Sequence, residues 1–376
     1  MKINKNSTPS MNKEKIRLGN IGRFSFIMLL LSGLLILALI INVNIGSVSI
    51  AVQDVFRMLW EGIRYGIANA FTNGGYAQEL EAVIKNSTKS QILFSIRIPR
   101  MLLAAILGGA LSVSGYLLQV FFRNPIAGPF VLGISSGAKM VVGITLIFLI
   151  HYIGSVGSLA LILAAFLGSL LITSIVLLFS QKVRNVSMLL VIGIMVGYIC
   201  SAVTDFCITF ADDHDVVNLK NWSMGTFSGA SWDNVSTAVL MCIPGIVAAL
   251  LLSKPISAYA LGEGYAQSMG MRIKPFRVLL ILLSSLLSAC VTALAGPISF
   301  VGIAVPHITR TLLKSSKPAF VIPSTFLCGA VFCVFCDLIA RTVFAPTELA
   351  IGTVTSVFGA PVVIYMMAKR RWTQED

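Results

Sequence analysis

Charged residues are scarce in this sequence. Lys, Arg, Asp and Glu make up 11% of its 376 residues, whereas hydrophobic residues make up 56%. A soluble domain carries about 25% charged residues, so this chain has too few of them to face water on all sides. The composition predicts an all-α membrane protein that crosses the bilayer several times.

Sequence motifs of several enzyme classes are also missing. There is no G-x-x-x-x-G-K-[ST] phosphate loop, so the chain does not hydrolyse a nucleotide by that mechanism. There is no HExxH zinc motif, no nucleophile elbow with Ser, His and Asp, and no pair of carboxylates within a span. The three histidines, His151, His214 and His307, are scattered. We predict that the chain is not an enzyme and holds neither a metal nor a cofactor of its own.

The net charge of +13 does not indicate a nucleic-acid partner. The basic residues fall in short clusters between apolar runs, which is the pattern that membrane topology requires. The seven Cys residues lie in or beside apolar segments. Cys333-x-x-Cys336 has the spacing of a metal site but no second pair and no nearby His, so we interpret the cysteines as small core residues.

Ten apolar segments are long enough, or nearly long enough, to cross a membrane as helices. They lie at about 26–42, 101–120, 131–150, 157–179, 188–210, 236–252, 278–295, 299–313, 321–344 and 349–368. The first is long for a signal-peptide core and lacks a small-residue cleavage site, so we expect it to be retained. The eighth is short and contains Gly302 and Pro306.

The basic residues predict the orientation of these spans. With the N-terminus inside, 19 of the 28 Lys and Arg residues fall in inner segments, eight fall outside and Lys139 lies within a span. Six of the eight belong to one long outer segment, which counts little in the positive-inside rule. We therefore predict a cytoplasmic tail at 1–25, a ten-helix domain at 26–371 and a second cytoplasmic tail at 372–376.

Two segments between the spans have a regular pattern. The outer segment 43–96 has mixed polarity and predicts a surface helix near 51–69. The inner segment 253–277 is bounded by prolines and interrupted by glycines. We expect it to form two short helices that lie at the cytoplasmic face.

Ionisable residues in or at the edge of spans are Lys139, Asp205, Asp337 and Arg341. Such residues are costly in lipid and often functional. Asp337 and Arg341 are four residues apart and can pair on one helix face, in either a structural or a functional role. Lys139 either reaches back to the inner interface or lines a cavity. A proton-driven carrier would need a series of carboxylates through its spans, which this sequence does not have.

Four stretches together resemble the FecCD family, the permease subunits of ABC importers for ferric siderophores, haem and vitamin B12. They are RIPRMLLAAILGGALSVSGYLLQVFFRNPIAGPFVLGISSGA (97–138), LGEGYAQSMGM (261–271), AGPISFVGIAVPHITR (295–310) and APTELAIGTVTSVFGAPVVIYMM (345–367). The resemblance covers roughly residues 26–371 and implies a type II importer permease fold of ten helices in a bacterial plasma membrane.

The same resemblance implies partners. A second permease subunit, identical or paralogous, completes the translocation path, two cytoplasmic ATPase subunits bind ATP and Mg, and an extracytoplasmic binding protein delivers the substrate. An iron complex, either a ferric siderophore or haem, is the expected substrate, and cobalamin is the alternative. A carrier that works without ATP and a non-transporting scaffold are hypotheses of other classes.

Candidate site residues follow from the resemblance. Coupling to the ATPase is expected at Gly262, Glu263, Ala266, Met269 and Gly270, although an ordinary interfacial helix would have the same pattern. Docking of the binding protein is expected at Arg97, Arg100 and Arg341, which offer rigid forks to carboxylates; alternatively, the first two anchor a helix start at the headgroups. Independently of the resemblance, the small residues around Ser135 and Ser136 suit a translocation path, and Lys139, which replaces the apolar or small residue usual in the family, is a further candidate for it.

Overall fold

The structure, a computed structural model, describes residues 9–46, 52–71, 87–149, 158–183 and 186–372. All regular structure in these ranges is helical. The helices are α1 Pro9–Asn44, α2 Val52–Phe71, α3 Thr88–Phe122, α4 Ile134–Leu149, α5 Ser158–Lys182, α6 Val186–Ile208, α7 Asp213–Ser223, α8 Trp232–Leu251, α9 Ser253–Ala260, α10 Glu263–Ser268, α11 Ile273–Ala295, α12 Val301–Leu313, α13 Pro318–Thr342 and α14 Ile351–Trp372. The first of them already begins within the predicted N-terminal tail.

The ten predicted spans coincide with ten of these helices. Within the described ranges, eight helices are long and apolar enough to cross a membrane, whereas α4 and α12 are shorter apolar helices. Irregular backbone precedes both, with positive φ at Arg123 and Gly133 before α4 and at Gly296 and Phe300 before α12. The membrane tolerates such turns only where protein surrounds them, and Ala127 in the first turn is fully buried.

Helix α3 lies at the centre of the bundle. It packs against α8, α11, α12 and α13 and is largely buried, whereas α1 lies at the edge. Small residues let its neighbours approach closely, as expected for helices that associate in lipid. A Cβ added to Gly115 would lie 1.8 Å from the carbonyl oxygen of Gly302 in α12, and one added to Gly108 would lie 2.5 Å from Cβ of Cys333 in α13.

The helix ends group as the alternating topology predicts. At the end predicted to be outside, the indole Nε1 of Trp232 donates to the carbonyl of Phe94 (2.9 Å). At the opposite end, Nε of Arg23 in α1 donates to the carbonyl of Leu312 in α12 (3.1 Å), and the rings of Phe24 and Phe320 stack with their centroids 4.6 Å apart. We call these two ends of the bundle the outer end and the inner end.

The outer segment 43–96 contains the predicted surface helix. Helix α2 begins within one residue of the predicted 51 and extends two residues beyond the predicted 69. Val55 packs with Val43 of α1 and Leu93 of α3 in a small apolar cluster, while Phe56 and Trp60 are exposed. Residues 72–86 of this segment, including Tyr76, lie outside the described ranges.

All seven cysteines are buried and unpaired. Cys333 and Cys336 are fully buried, and Cys333 packs against Gly108 of the central helix. Their interpretation as small core residues is confirmed.

Candidate functional site

The R-I-P-R stretch at 97–100 lies inside α3. The helix begins earlier, where the Ser87 side chain accepts a hydrogen bond from the backbone N–H of Ser90 (3.1 Å). Ile92–Arg97 forms a wider π-type turn just before Pro99; proline lacks the N–H that the preceding helical turn would use. The prediction that these arginines stand at a helix start is therefore wrong, because the helix continues upstream of the proline.

Arg97 and Arg100 are buried. They are 5% and 8% exposed, so the expectation that both offer their guanidinium groups to a binding protein at the outer surface is wrong for the single chain. The C-terminal end of α1 covers the first: Nη1 of Arg97 donates to the carbonyl of Val43. Docking of a binding protein on these residues stays a prediction.

Arg100 is the centre of an ion network between three elements. Its Nη2 and Nε donate to Oδ1 of Asp337 in α13 (2.9 and 3.1 Å), and its Nη1 donates to both carboxylate oxygens of Glu348 (2.9 and 3.1 Å). The Asp337 side chain is 1% exposed and that of Glu348 is 44% exposed. One half of the guanidinium fork is therefore sealed inside the bundle, and the other half is reachable from the outer end.

Arg341 does not form the predicted ion pair with Asp337 along α13. Its Nη2 donates instead to the carbonyl and the side-chain oxygen of Asn42 at the end of α1. Asp337 is taken by Arg100, whose two N–H groups reach one carboxylate from a neighbouring helix, an arrangement stronger than a single contact. Arg341 thus fastens α1 to α13, as does the hydrogen bond from Nδ2 of Asn42 to the carbonyl of Val334 (3.1 Å).

At the inner end, segment 253–277 forms two short helices, as predicted. Helices α9 and α10 are separated by Gly262, with φ of +132°, and α10 is followed by Gly270, with φ of +82°. Both values lie where a side chain would be strained. These two glycines therefore set the direction of α10, while Ala266 of that helix is fully buried against the bundle.

Glu263 holds α10 onto the transmembrane core. Its Oε1 accepts hydrogen bonds from Nε of Arg277 in α11 (3.0 Å) and from the hydroxyl of Tyr259 in α9 (3.0 Å). Burial alone would raise the pKa of Glu263, but the hydrogen bonds from Arg277 and Tyr259 outweigh it and the pKa lies below its usual value. Burial and the nearby Glu263 charge raise the pKa of Tyr259 to about 12.

The lowered pKa fixes how this attachment depends on pH. A carboxyl group whose folded-state pKa is depressed contributes stability above its unfolded pKa, which is about 4.3 for Glu. The contribution is lost as the pH falls through the lower, folded-state value. The attachment of α10 is therefore at full strength at neutral pH.

We expect Glu263→Gln to loosen α10. The neutral amide loses charge-assisted hydrogen bonds worth about 1–2 kcal/mol at this half-buried position. This loss would increase the population of molecules with a detached segment by roughly 5–30-fold. Trypsin cleavage after the exposed Arg272, measured on the full-length protein in detergent, should accelerate accordingly. Gln267→Ala, an exposed position on the same helix, is the matched control; equal cleavage rates in both variants would show that Glu263 does not anchor the helix.

The opposite side of the coupling segment exposes apolar side chains. Leu261, Tyr265 and Met269 are 71%, 50% and 64% exposed. Tyr265 lies on α10 and Met269 caps its end, so these two residues, four apart, lie on one side of that helix. Leu261 lies just before the break at Gly262. We call these three residues the coupling face. Of the predicted coupling residues, the structure thus places only Met269 on this face, whereas Glu263 and Ala266 attach the segment to the bundle.

The residues predicted for the translocation path lie on α4. Ser135 is 5% exposed, while Ser136 and Lys139 are half-buried. Helix α4 packs between α5 and α6, where Gly137 faces the carbonyl of Gly168 in α5. Their role in the path stays a prediction, as does the choice between the two roles considered for Lys139.

Sequence reasoning missed several residues of these sites. Glu348 stood inside the quoted stretch 345–367, and its charge so close to a span was a usable signal. Tyr259 lies within the segment 253–277 and Arg277 ends it, and neither position stood out in the sequence. Asn42 ends an apolar run and gave no signal at all.

Comparison with known proteins agrees with this architecture. The chain matches the FecCD transport family over residues 34–369. It is 31% identical over 347 residues to the hemin transport system permease protein HmuU of Yersinia pestis, covering 91% of this chain and 96% of that protein. It is 36% identical over 285 residues to the vitamin B12 import system permease protein BtuC of Vibrio cholerae, covering 76% and 85%.

A solved structure has a similar fold. It is an inward-facing conformation of a metal-chelate type ABC transporter, with a TM-score of 0.76 and 26% identity, covering 92% of this chain and 99% of that one. The family match extends over most of the chain and includes both the outer ion network and the coupling segment. The chain therefore belongs to the FecCD transport family and is a permease of an ABC importer.

Proposed function

We propose that this permease imports an iron complex, ferric siderophore or haem, by coupling to two cytoplasmic ATPase subunits that bind ATP and Mg. The observation that supports coupling to the ATPase subunits is the coupling face. Three apolar side chains stand exposed on a segment that is itself held rigidly to α11 by Glu263. Exposed apolar surface of this kind is typical of protein contacts, and a rigid attachment transmits a shift of the partner into the helices.

The relatives support the choice of substrate. The protein named for hemin transport aligns with 91% of this chain, and the solved structure with the similar fold is of a metal-chelate type transporter. Cobalamin is the second candidate because of the similarity to the vitamin B12 permease. An uptake assay in which an iron complex and cobalamin compete distinguishes these two substrates.

A second permease subunit is proposed to cover α6. Tyr198 and Phe206 of this span are 66% and 63% exposed, and Ser201 and Asp205 on the same helix are exposed as well. An acidic side chain facing lipid is costly, so this side of α6 suits a subunit boundary with a water-filled path.

Docking of an extracytoplasmic binding protein is proposed at the outer end. A carboxylate of that protein would compete with Glu348 for the reachable half of the Arg100 guanidinium. Asp337 would keep the other half in place during the exchange. This orientation places both termini in the cytoplasm of a bacterium, as the distribution of basic residues favours.

The proposal is tested by transport in proteoliposomes that contain the permease with its ATPase and binding protein. We expect ferric siderophore or haem to accumulate only when ATP is present. Accumulation without ATP would support the secondary-carrier hypothesis. ATP-driven uptake of cobalamin, with no uptake of an iron complex, would identify cobalamin as the substrate.

The coupling face has its own test. We expect Leu261→Asp with Met269→Asp to reduce ATPase association and uptake at least tenfold, a loss of about 1.4 kcal/mol or more in binding, because charge replaces apolar contact. Val217→Asp, at a 54% exposed position of α7 at the other end, is the matched control. ATPase association that is unchanged in the double variant would refute the assignment of this face.

A further inference from the structure

A cavity of about 680 Å³ opens at the inner end of the bundle. It lies between the C-terminal halves of α3, α12 and α14, beside the end of α9. Its size is that of a small-molecule site, for which about 300–1,000 Å³ is typical. None of the residues assigned above to docking, coupling or the path lines it.

The wall of this cavity contains basic residues. Arg123, His307 and Arg310 contribute, and the described residues include no carboxylate in its wall. Arg310 lies over the ring of Tyr116, with Cζ 5.0 Å from the centroid. Arg123 lies 5.2 Å from the ring centroid of Tyr259, and its Nη2 donates to the Tyr259 carbonyl (3.4 Å).

Arg310 has no hydrogen-bond acceptor among the described residues, unlike Arg23, Arg123 and Arg277 at the same end. Arg277 is paired with Glu263, and Arg123 has a carbonyl. For Arg310, the contact found in the described part of the chain is the Tyr116 ring, which holds the guanidinium plane and leaves its N–H donors unused. Arg310 is half-buried. Taking a cation partly out of water without an anion costs free energy, which an anionic ligand would offset.

Gln119 adds a neutral polar group to the same wall. It is 3% exposed, and its Nε2 donates to the carbonyls of Gly302 and Ile303 (3.4 and 3.1 Å). These two contacts fix the orientation of the amide, and its buried Oε1 accepts no hydrogen bond from the described residues. The amide is therefore a fixed, neutral part of the cavity wall.

We propose that this cavity binds an oxyanion, a carboxylate or a phosphate, carried by an amphiphilic ligand. The free N–H donors of Arg310 match the two oxygens of such a group, and His307, three residues earlier on α12, faces the same cavity. Apolar walls from Val120 and Met366 accommodate the rest of the ligand. The oxyanion comes either from the headgroup of an anionic lipid or from a soluble compound that reaches the inner end, and only the second source depends on the transport function proposed above.

The test uses the full-length permease in nanodiscs of neutral phosphatidylcholine. Citrate in the buffer is the soluble carboxylate probe, and phosphatidylglycerol added to the nanodisc is the lipid phosphate probe. The readout is the rate at which diethyl pyrocarbonate modifies His307, followed by mass spectrometry. His214, whose side chain is 85% exposed on α7 at the outer end, is the internal control.

We expect at least one probe to slow modification of His307, by about tenfold at ten times its Kd, with no effect on His214. Protection by citrate identifies a soluble ligand, and protection by phosphatidylglycerol alone identifies a lipid. Arg310→Gln should abolish the protection, whereas Lys220→Gln, at an exposed outer position, should keep it.

The proposal would be overturned if neither probe slowed the modification of His307, or if the Arg310→Gln variant were protected as well as the wild-type protein. If Arg310→Gln does not yield folded protein, the presence or absence of His307 protection in the wild-type protein decides whether the cavity binds an oxyanion. Neither readout requires uptake, so failure of the oxyanion site is distinguishable from failure of the transport proposal.

Discussion

Gly115→Ala should prevent the permease from accumulating as a folded protein. The added methyl group would lie 1.8 Å from the carbonyl oxygen of Gly302 and 2.4 Å from its carbonyl carbon. Both are backbone atoms of α12, so no side-chain rotation relieves the clash. We expect a cost above the ~1–3 kcal/mol of ordinary overpacking, because α3 and α12 must move apart.

The measurement is the yield of monodisperse protein after extraction in detergent, together with its midpoint of thermal unfolding. Gly33→Ala is the matched control, since Gly33 also lies within a helix but has no heavy atom within 4 Å of an added Cβ. That variant should gain about 0.5–1 kcal/mol from helix propensity. Normal yield and midpoint for Gly115→Ala would mean that the two backbones are not in contact.

Asp337→Ala should destabilise the protein by about 3–5 kcal/mol, the cost of breaking a buried ion pair by removing one partner. Arg100 would keep its charge at a position that is 8% exposed, with only Glu348 as its partner. The expected result is a lower midpoint of thermal unfolding in detergent and a lower yield. Glu348→Gln, which removes the more exposed partner, should cost about 1 kcal/mol or less.

A double variant separates charge from packing. Arg100→Met with Asp337→Leu removes both buried charges and keeps a similar volume, and such replacements are often neutral or stabilising. We expect it to regain most of the stability that Asp337→Ala loses. If the double variant is as unstable as the single one, the loss comes from packing and not from the unpaired Arg100.

The sequence was sufficient to locate the spans and the coupling segment, because both depend on local patterns. Apolar runs marked ten helices, most of them within a few residues at both ends but α1 and α3 with starts more than ten residues too late, and the glycines and prolines of 253–277 marked two short ones. The start of α3 was missed by more than ten residues. Pro99 was taken as a boundary, whereas the helix passes through it after a π-type turn.

The partners of the ionisable residues could not be predicted in this way. Asp337 and Arg341 are four residues apart and seemed a natural pair, but their partners come from 237 and 299 residues away. Helix packing in lipid depends on where small residues allow close contact, and that decides which charges meet. A single sequence contains no signal for such a pairing when, as with Asn42, one partner is an ordinary residue.

The length of α3 has a mechanical consequence. Its 35 residues correspond to roughly 50 Å at 1.5 Å per residue, more than the ~30 Å hydrocarbon layer. Arg100 lies in its outer half, and at its inner end the carbonyl oxygen of Phe121 lies 3.4 Å from the hydroxyl of Tyr259, which donates to Glu263. Beyond the π-type turn, α3 is one regular helix from Ile98 to Phe122, so a shift of the cytoplasmic helices reaches the Arg100 network through that single helix.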